Sequence, residues 1–566
     1  PGFFQDSQMA GSIQGWAVMA GGQEESGDIS YEDVEEALSS TDPKKIKETL
    51  QVLAAKGEIG AADLGYAYLV GDFLASQDQD IAIAAIEALG KMGSGGAMHA
   101  ADLISCLRST EPQIQAVAAE ALGNFGKEAA IYKDHLMMLV TGAQDEIAKA
   151  SAIMALGKIG ADSEVDKIAD LLENSQPLVA AAACQALGLL GEPGLTKADL
   201  IASKLDDPSI KYAALCALKN LGRSAVRNSI DKIIYQCLAD KDLATREVAG
   251  VALGTAADDV LNLTVHMEKI TNLLGSQEPG TRCAAALALG HLGARAGEKW
   301  STKLEGLLDD DAEDFSARAL QMGGIGRASV SMRKPQCAAI SALGMMSASK
   351  FAGKIKTKLV SDDWEVRLTA LQALAGMGEA ALAEQEEIAE LLTESMYLLK
   401  VQACKTLGAI DAEDSAEAIK DVLEDKSPSV RAAAATALGQ LGSAGAVYSS
   451  DVFKLLKSPL KQVRVAAISS LGNMEEIGEC YAGPIATFLE DDSLQVRCAS
   501  IEALGKLGSK GAAYAEEISM FLEDPASMAR SASVKALGQM GSEAAPYHFK
   551  MLALTEDPLV AEVAKE

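Results

Sequence analysis

Of the 566 residues, 49% are hydrophobic but only 4% aromatic, so a buried core must come from many small Ala, Leu, Ile, Val and Met side chains rather than a few large rings. Eighty Asp plus Glu against fifty Lys plus Arg leave a net charge of −30, which repels a phosphate backbone or an anionic lipid surface and argues against nucleic-acid binding. Nine Cys without CxxC pairs read as reduced thiols, and no run approaches the roughly 18 apolar residues of a membrane-spanning helix.

Residues 1–40 read as an irregular N-terminal arm, with Gly11, Gly15, Gly21, Gly22 and Gly27 around the lone Trp16. A first residue of Pro rather than Met is expected of a processed or trimmed start. From 41 to 566 one phrase recurs: Leu, Gly, any residue, an apolar residue, Gly. It stands as Leu89-Gly90-Lys91-Met92-Gly93, Leu122-Gly123-Asn124-Phe125-Gly126 and Leu156-Gly157-Lys158-Ile159-Gly160. Later reference positions are Gly188, Lys219, Gly254, Gly290, Gly344, Ala375, Gly408, Gly439, Gly472, Gly505 and Gly538, nearly all 31–36 residues apart. A divergent copy, Val52-Leu53-Ala54-Ala55-Lys56-Gly57, precedes them and brings the number of units to about fifteen.

Within the Gly505 unit, Leu494, Cys498, Ile501 and Leu504 have the spacing of one face of a helix, here termed A. Gly505 and Gly508 are expected to interrupt it, and Tyr514, Ile518, Phe521 and Leu522 form the stripe of a second helix, B. Pro43, Pro112, Pro177, Pro208, Pro279 and Pro428 all stand eleven residues before their reference position, where the first turn of helix A should begin. Two such helices cannot bury both apolar faces alone. The expected solution is all-α, a continuous right-handed solenoid of stacked hairpins.

The interval from Gly290 to Gly344 holds about 21 residues more than one unit, placing an insertion at 309–334. It opens with Asp309-Asp310-Asp311 and closes with Arg333-Lys334 around Gly323-Gly324-Ile325-Gly326-Arg327. Insertions in repeat chains emerge on one edge, so Asp310, Asp311, Arg327 and Arg333 are candidate protein contacts of a docking loop. A merely tolerated insertion is the alternative. The glycine cluster lacks the Gly-Lys-Ser/Thr of a phosphate loop.

Eight positions before each reference residue stands a base: Arg246, Arg282, Arg367, Arg431, Arg464, Arg497 and Arg530, with Lys149, Lys211 and Lys400 in the same column. Asp240, Asp362, Asp425, Asp491 and Asp524 precede it in the inter-unit turn. With the Ala- and Gly-rich phrase, this pattern resembles the HEAT-repeat family, in the short variety also found in phycobilisome lyases. The resemblance implies a ladder of these residues tying adjacent turns together. Pairing of each Arg with the Asp of its own unit is the expectation, at about 0.2–1 kcal/mol per exposed pair. Ala82, Gln115 and Ala180 break the column in early units.

Nine residues after the reference position stand Tyr132, Tyr448, Tyr481, Tyr514 and Tyr547, with His99 in the equivalent place of the Gly90 unit. Each ring either packs under the A–B turn or belongs to an aromatic strip that contacts a partner; Tyr448, Tyr481, Tyr514 and Tyr547 are candidate contacts on the second reading. The five His show no HExxH or paired spacing, and no nucleophile elbow or dinucleotide fingerprint occurs, so no metal, cofactor or catalytic group is called for. Cys184, Cys216, Cys283, Cys337, Cys404 and Cys498 occupy helix A positions that other units fill with small residues and read as core thiols.

The expected function is a non-catalytic scaffold or adaptor within a multi-subunit assembly, binding proteins with basic or mixed surfaces, in the cytoplasm or the reducing interior of an organelle. The family resemblance also allows a chromophore lyase or chaperone.

Overall fold

The recurring phrase acts on the backbone at three places, and together they build one hairpin per repeat. A computed structural model describes residues 31–556 except 62–63, 175, 257–259, 294–296, 315–332 and 525, together with 560 and 563. Most of the N-terminal arm and the middle of the insertion, including Arg327, therefore lie outside the described residues. The last part of the arm, Tyr31–Leu38, is helical.

Two units are compact by themselves, 29–295 and 296–566. In the first, the A helices are Pro43–Ala61, Gln79–Lys91, Pro112–Asn124, Glu146–Ile159, Pro177–Leu189, Lys211–Leu221, Leu243–Thr255 and Pro279–His291. In the second they are Pro335–Met345, Trp364–Met377, Tyr397–Ala409, Pro428–Gln440, Lys461–Gly472, Leu494–Lys506 and Ser527–Gln539. That gives fifteen among the described residues. Within each unit successive A helices pack on one another, and each also packs on the B segment of the repeat before it. No strand occurs among the described residues.

The first glycine of the phrase does not end helix A, contrary to the sequence expectation: Gly505 lies inside Leu494–Lys506. It permits close stacking instead. A Cβ placed on Gly157 would stand 2.6 Å from Cα of Ala186 in the next A helix, nearer than a carbon contact allows. The second glycine makes the turn, as at Gly160 with φ 75°, a left-handed conformation that costs glycine little. Where the sequence lacks it, Ser347, Asp411 and Glu475 adopt positive φ at the same place.

Pro43, Pro112, Pro177, Pro279 and Pro428 begin their A helices, where the missing N–H has no partner to lose. Pro208 departs from the register: its helix starts at Lys211, and the proline sits in the preceding turn. The B segments are less regular than one apolar stripe implies. In the Gly505 repeat B is an α-helix over Ala515–Met520 that tightens into a 3₁₀ turn over Phe521–Glu523, a geometry that suits only short runs. Ile518 and Leu522 are buried from this segment, whereas Tyr514 and Phe521 are half-buried.

Candidate functional site

The basic column is tied down in a way the spacing alone does not disclose. Arg246, Arg282, Arg431, Arg464, Arg497 and Arg530 fold back over the turn before their own helix, and Nη1 donates to the main-chain carbonyl six residues earlier at 2.8–3.1 Å. Asp carboxylates in those turns accept from the backbone N–H two residues on: Asp240 from Asp242, Asp425 from Ser427, Asp491 from Ser493 and Asp524 from Ala526. The cation that meets such a carboxylate comes from the repeat before. Lys211 reaches Asp240 at 2.6 Å, Lys400 reaches Asp425 at 2.7 Å and Arg464 reaches Asp491 at 3.0 Å. Arg367 makes the same step to Glu394. The ladder therefore runs between repeats rather than pairing each Arg with its own Asp carboxylate. Asp362 is exposed, and its neighbour Asp363 caps the next A helix and holds Lys334.

Burial alone would raise Asp240 and Asp425; the lysine side chain and the turn N–H overcome it and hold both below the usual carboxylate range. A second ladder, absent from the sequence reading, follows the reference position by one residue. Lys158 Nζ donates to Asn124 Oδ1 at 2.8 Å, and Lys506 Nζ to Asn473 Oδ1 at 2.9 Å. Its signal is an Asn followed one repeat later by a Lys in that column, at 124 and 158 and again at 473 and 506.

The tyrosines Tyr132, Tyr448, Tyr481, Tyr514 and Tyr547 are all half-buried and each immediately precedes a B helix. Tyr481 lies across the preceding repeat: its hydroxyl meets Ser449 Oγ at 3.1 Å and its ring stands 5.3 Å from Phe453. The hydroxyl of Tyr514 likewise lies over Gly483. Packing against the preceding B segment thus occupies part of the Tyr481 and Tyr514 side chains, and all five tyrosines remain partly open to solvent.

At the insertion, the two ends meet. The Asp314 N–H donates to the Arg333 carbonyl at 2.9 Å, and Arg333, only 4% exposed, pairs with Glu313 at 2.8 Å and Glu365 at 2.5 Å. Arg333 is thus a buried clasp at the neck of the insertion, a correction to its place among surface contacts. Asp310 is engaged as well: its carbonyl accepts from the Gln336 N–H and its carboxylate from the Ala312 N–H. Asp311 is exposed.

The six core cysteines are all buried, and burial pushes the thiols of Cys184, Cys337 and Cys404 up to about 12 and that of Cys498 up to about 11. Cys480 is exposed. Among the described residues no three His, Cys, Asp or Glu side chains converge as metal ligands, and no helix is long and apolar enough to cross a membrane.

Charge is concentrated on one stretch. Residues 378–425 carry thirteen Asp and Glu against three Lys. Glu386, Glu390, Glu413, Asp414, Glu417 and Glu424 are exposed there, on or beside the successive B helices Gln385–Glu390 and Ala416–Asp421. The nearby basic groups are largely spent, since Lys400 holds Asp425 and Lys420 holds Asp421.

The family model for HEAT repeats matches residues 69–156, 133–219, 385–449 and 482–566, together more than half of the chain. The chain belongs to the HEAT-repeat family. The match does not single out the phycobilisome-lyase variety. A search of curated protein sequences finds no significant match. Among solved structures, yeast importin-beta (Kap95p) is 13% identical over 94% of this chain and 83% of its own, with a TM-score of 0.56. Importin beta crystallised from polyethylene glycol is 15% identical over 94% of this chain and 89% of its own, at 0.50. Kap121p bound to Pho4p is 14% identical over 99% and 71%, also at 0.50. At such identities the likeness carries the fold alone: this HEAT chain is a right-handed α-solenoid. In HEAT terms, the two ladders are register devices that tie a hairpin to the next at the steps where they occur, and the exposed B-helix carboxylates are surplus to that task.

Proposed function

We propose that this HEAT protein is a non-catalytic scaffold that binds basic or mixed protein surfaces within a larger assembly. The observation that carries the reading is the set of exposed carboxylates on successive B helices of 378–425. Structural carboxylates in this chain are engaged by turns and cations, whereas these face solvent in excess of the available bases. Such a field steers and orients a positively charged partner. The tyrosine edges of the C-terminal repeats and exposed Asp311 at the insertion extend the same proposal. That Kap121p was crystallised with Pho4p bound is consistent with partner binding by a related architecture.

The test is recovery of partners from the native source by wild-type protein and by a Glu386→Lys, Glu390→Lys, Glu413→Lys, Glu417→Lys variant. Partners retained by wild-type protein at low salt should be lost from the variant, with the same helical content and melting temperature. Equal recovery by both would refute the assignment of this face.

A further inference from the structure

Between the Gly123 and Gly157 repeats the inter-repeat ladder lacks both partners, and a cleft stands in its place. In the regular step Arg464 reaches Asp491 in the following turn. Between the Gly123 and Gly157 repeats the corresponding residues are Gln115 and Ala143. The backbone has not changed: Ala143 has φ −64° and ψ 145°, and Asp491 has φ −64° and ψ 143°. Gln115 even keeps the arginine's backward bond, donating from Nε2 to the Ser109 carbonyl six residues earlier at 2.8 Å. What is missing is the carboxylate and the cation that filled the space between them.

That space is a cleft of about 200 Å³ whose lining includes the apolar Leu107, Met138 and Leu139 together with Gln115 and Ala143. It is smaller than the roughly 300–1,000 Å³ of a cofactor-sized pocket and fits one side chain. Met138 is 65% exposed beside it. His135 also lines it, and its Nδ1 is buried without a hydrogen-bond partner. Arg108, an exposed residue, lines it as well. An apolar wall, an unpartnered buried nitrogen and a guanidinium line the place where the Lys211, Arg367, Lys400 and Arg464 steps hold a carboxylate.

We infer that this cleft binds a peptide segment of a partner protein in which an apolar side chain lies next to a carboxylate. The side chain packs on Leu107, Met138 and Leu139, and the carboxylate accepts from Arg108 in place of the absent aspartate. This deepens the scaffold reading by giving it a discrete peptide site distinct from the acidic face.

The experiment follows the Met138 methyl resonance of ¹³C-methyl-methionine-labelled full-length protein during titration with N-acetyl-L-leucine, which carries one apolar side chain and one carboxylate. Saturation with Kd on the order of 1–10 mM is expected for so small a probe. N-acetyl-L-leucinamide should bind about 3- to 10-fold more weakly, as should the acid to Arg108→Gln, a change at an exposed position that leaves the core intact. Ala143→Asp, which restores the aspartate on a backbone already suited to it, should abolish the shift without lowering the melting temperature. Absence of saturation, equal binding of the amide, or undiminished binding to Ala143→Asp would each overturn the inference. None of these results would alter the outcome of the charge-reversal experiment on the acidic face, so the two readings fail separately.

Discussion

Glu475 occupies the turn position that glycine holds in most repeats, and its φ of 45° puts a Cβ in the left-handed region. That conformation costs a residue with a side chain about 1–2 kcal/mol, offset in part by the greater chain entropy that glycine loses on folding. Glu475→Gly is therefore expected to stabilise the protein by about 0.5–1 kcal/mol, measured as a rise in melting temperature; a fall would show the turn to be held by the glutamate itself. Asp425 offers a test of the ladder through pH. Its folded carboxyl lies below the ordinary range, so the unfolded chain takes up the proton first as pH falls. The ladder's contribution is thus complete above about pH 4 and disappears as pH falls through the lowered folded value. Asp425→Asn should melt below wild type at pH 7, with the gap closing in acid. A gap independent of pH would mean that the Lys400 contact contributes nothing to stability.

At the scale of the element, the A helices depend on close approach. A Cβ on Gly188 would lie 2.6 Å from Cα of Ala217, and backbone rather than a flexible side chain would have to yield. Gly188→Ala should cost about 1–3 kcal/mol despite its better helix propensity, and hydrogen exchange should accelerate first in Pro177–Leu189 and Lys211–Leu221. Faster exchange confined to distant repeats would contradict this stacking role. The hairpin and its phase were legible because proline, glycine and leucine recur at fixed offsets. The division of labour between the two glycines was not, since both fit a helix-ending signal and only the neighbouring repeat shows that Gly157 faces Ala186. Ladder direction was hidden for the same reason: Asp491 is near Arg497 in sequence, yet its carboxylate meets Arg464 from the repeat before. The broken step at Gln115 was visible in the column, but its consequence needed Ala143 placed opposite it.

At the scale of the whole molecule, stacked helical repeats carry an uneven distribution of charge. The net charge is −30, and residues 378–425 contribute thirteen acidic side chains against three basic ones. Partner binding through that face should weaken steeply with salt as the screening length falls from about 10 Å at 0.1 M to about 3 Å at 1 M. Arg333, half of a buried clasp, belongs to the architecture, as do the packed faces of the tyrosines. The most direct measurement is zero-length carboxylate-to-amine cross-linking of the native complex, which reads contacts between this chain's acids and a partner's lysines. Links concentrated at Glu386, Glu390, Glu413, Asp414, Glu417 and Glu424 are the predicted result. Links falling instead on A-helix carboxylates such as Glu87, Glu120 and Glu502, with the B-helix acids untouched, would contradict it.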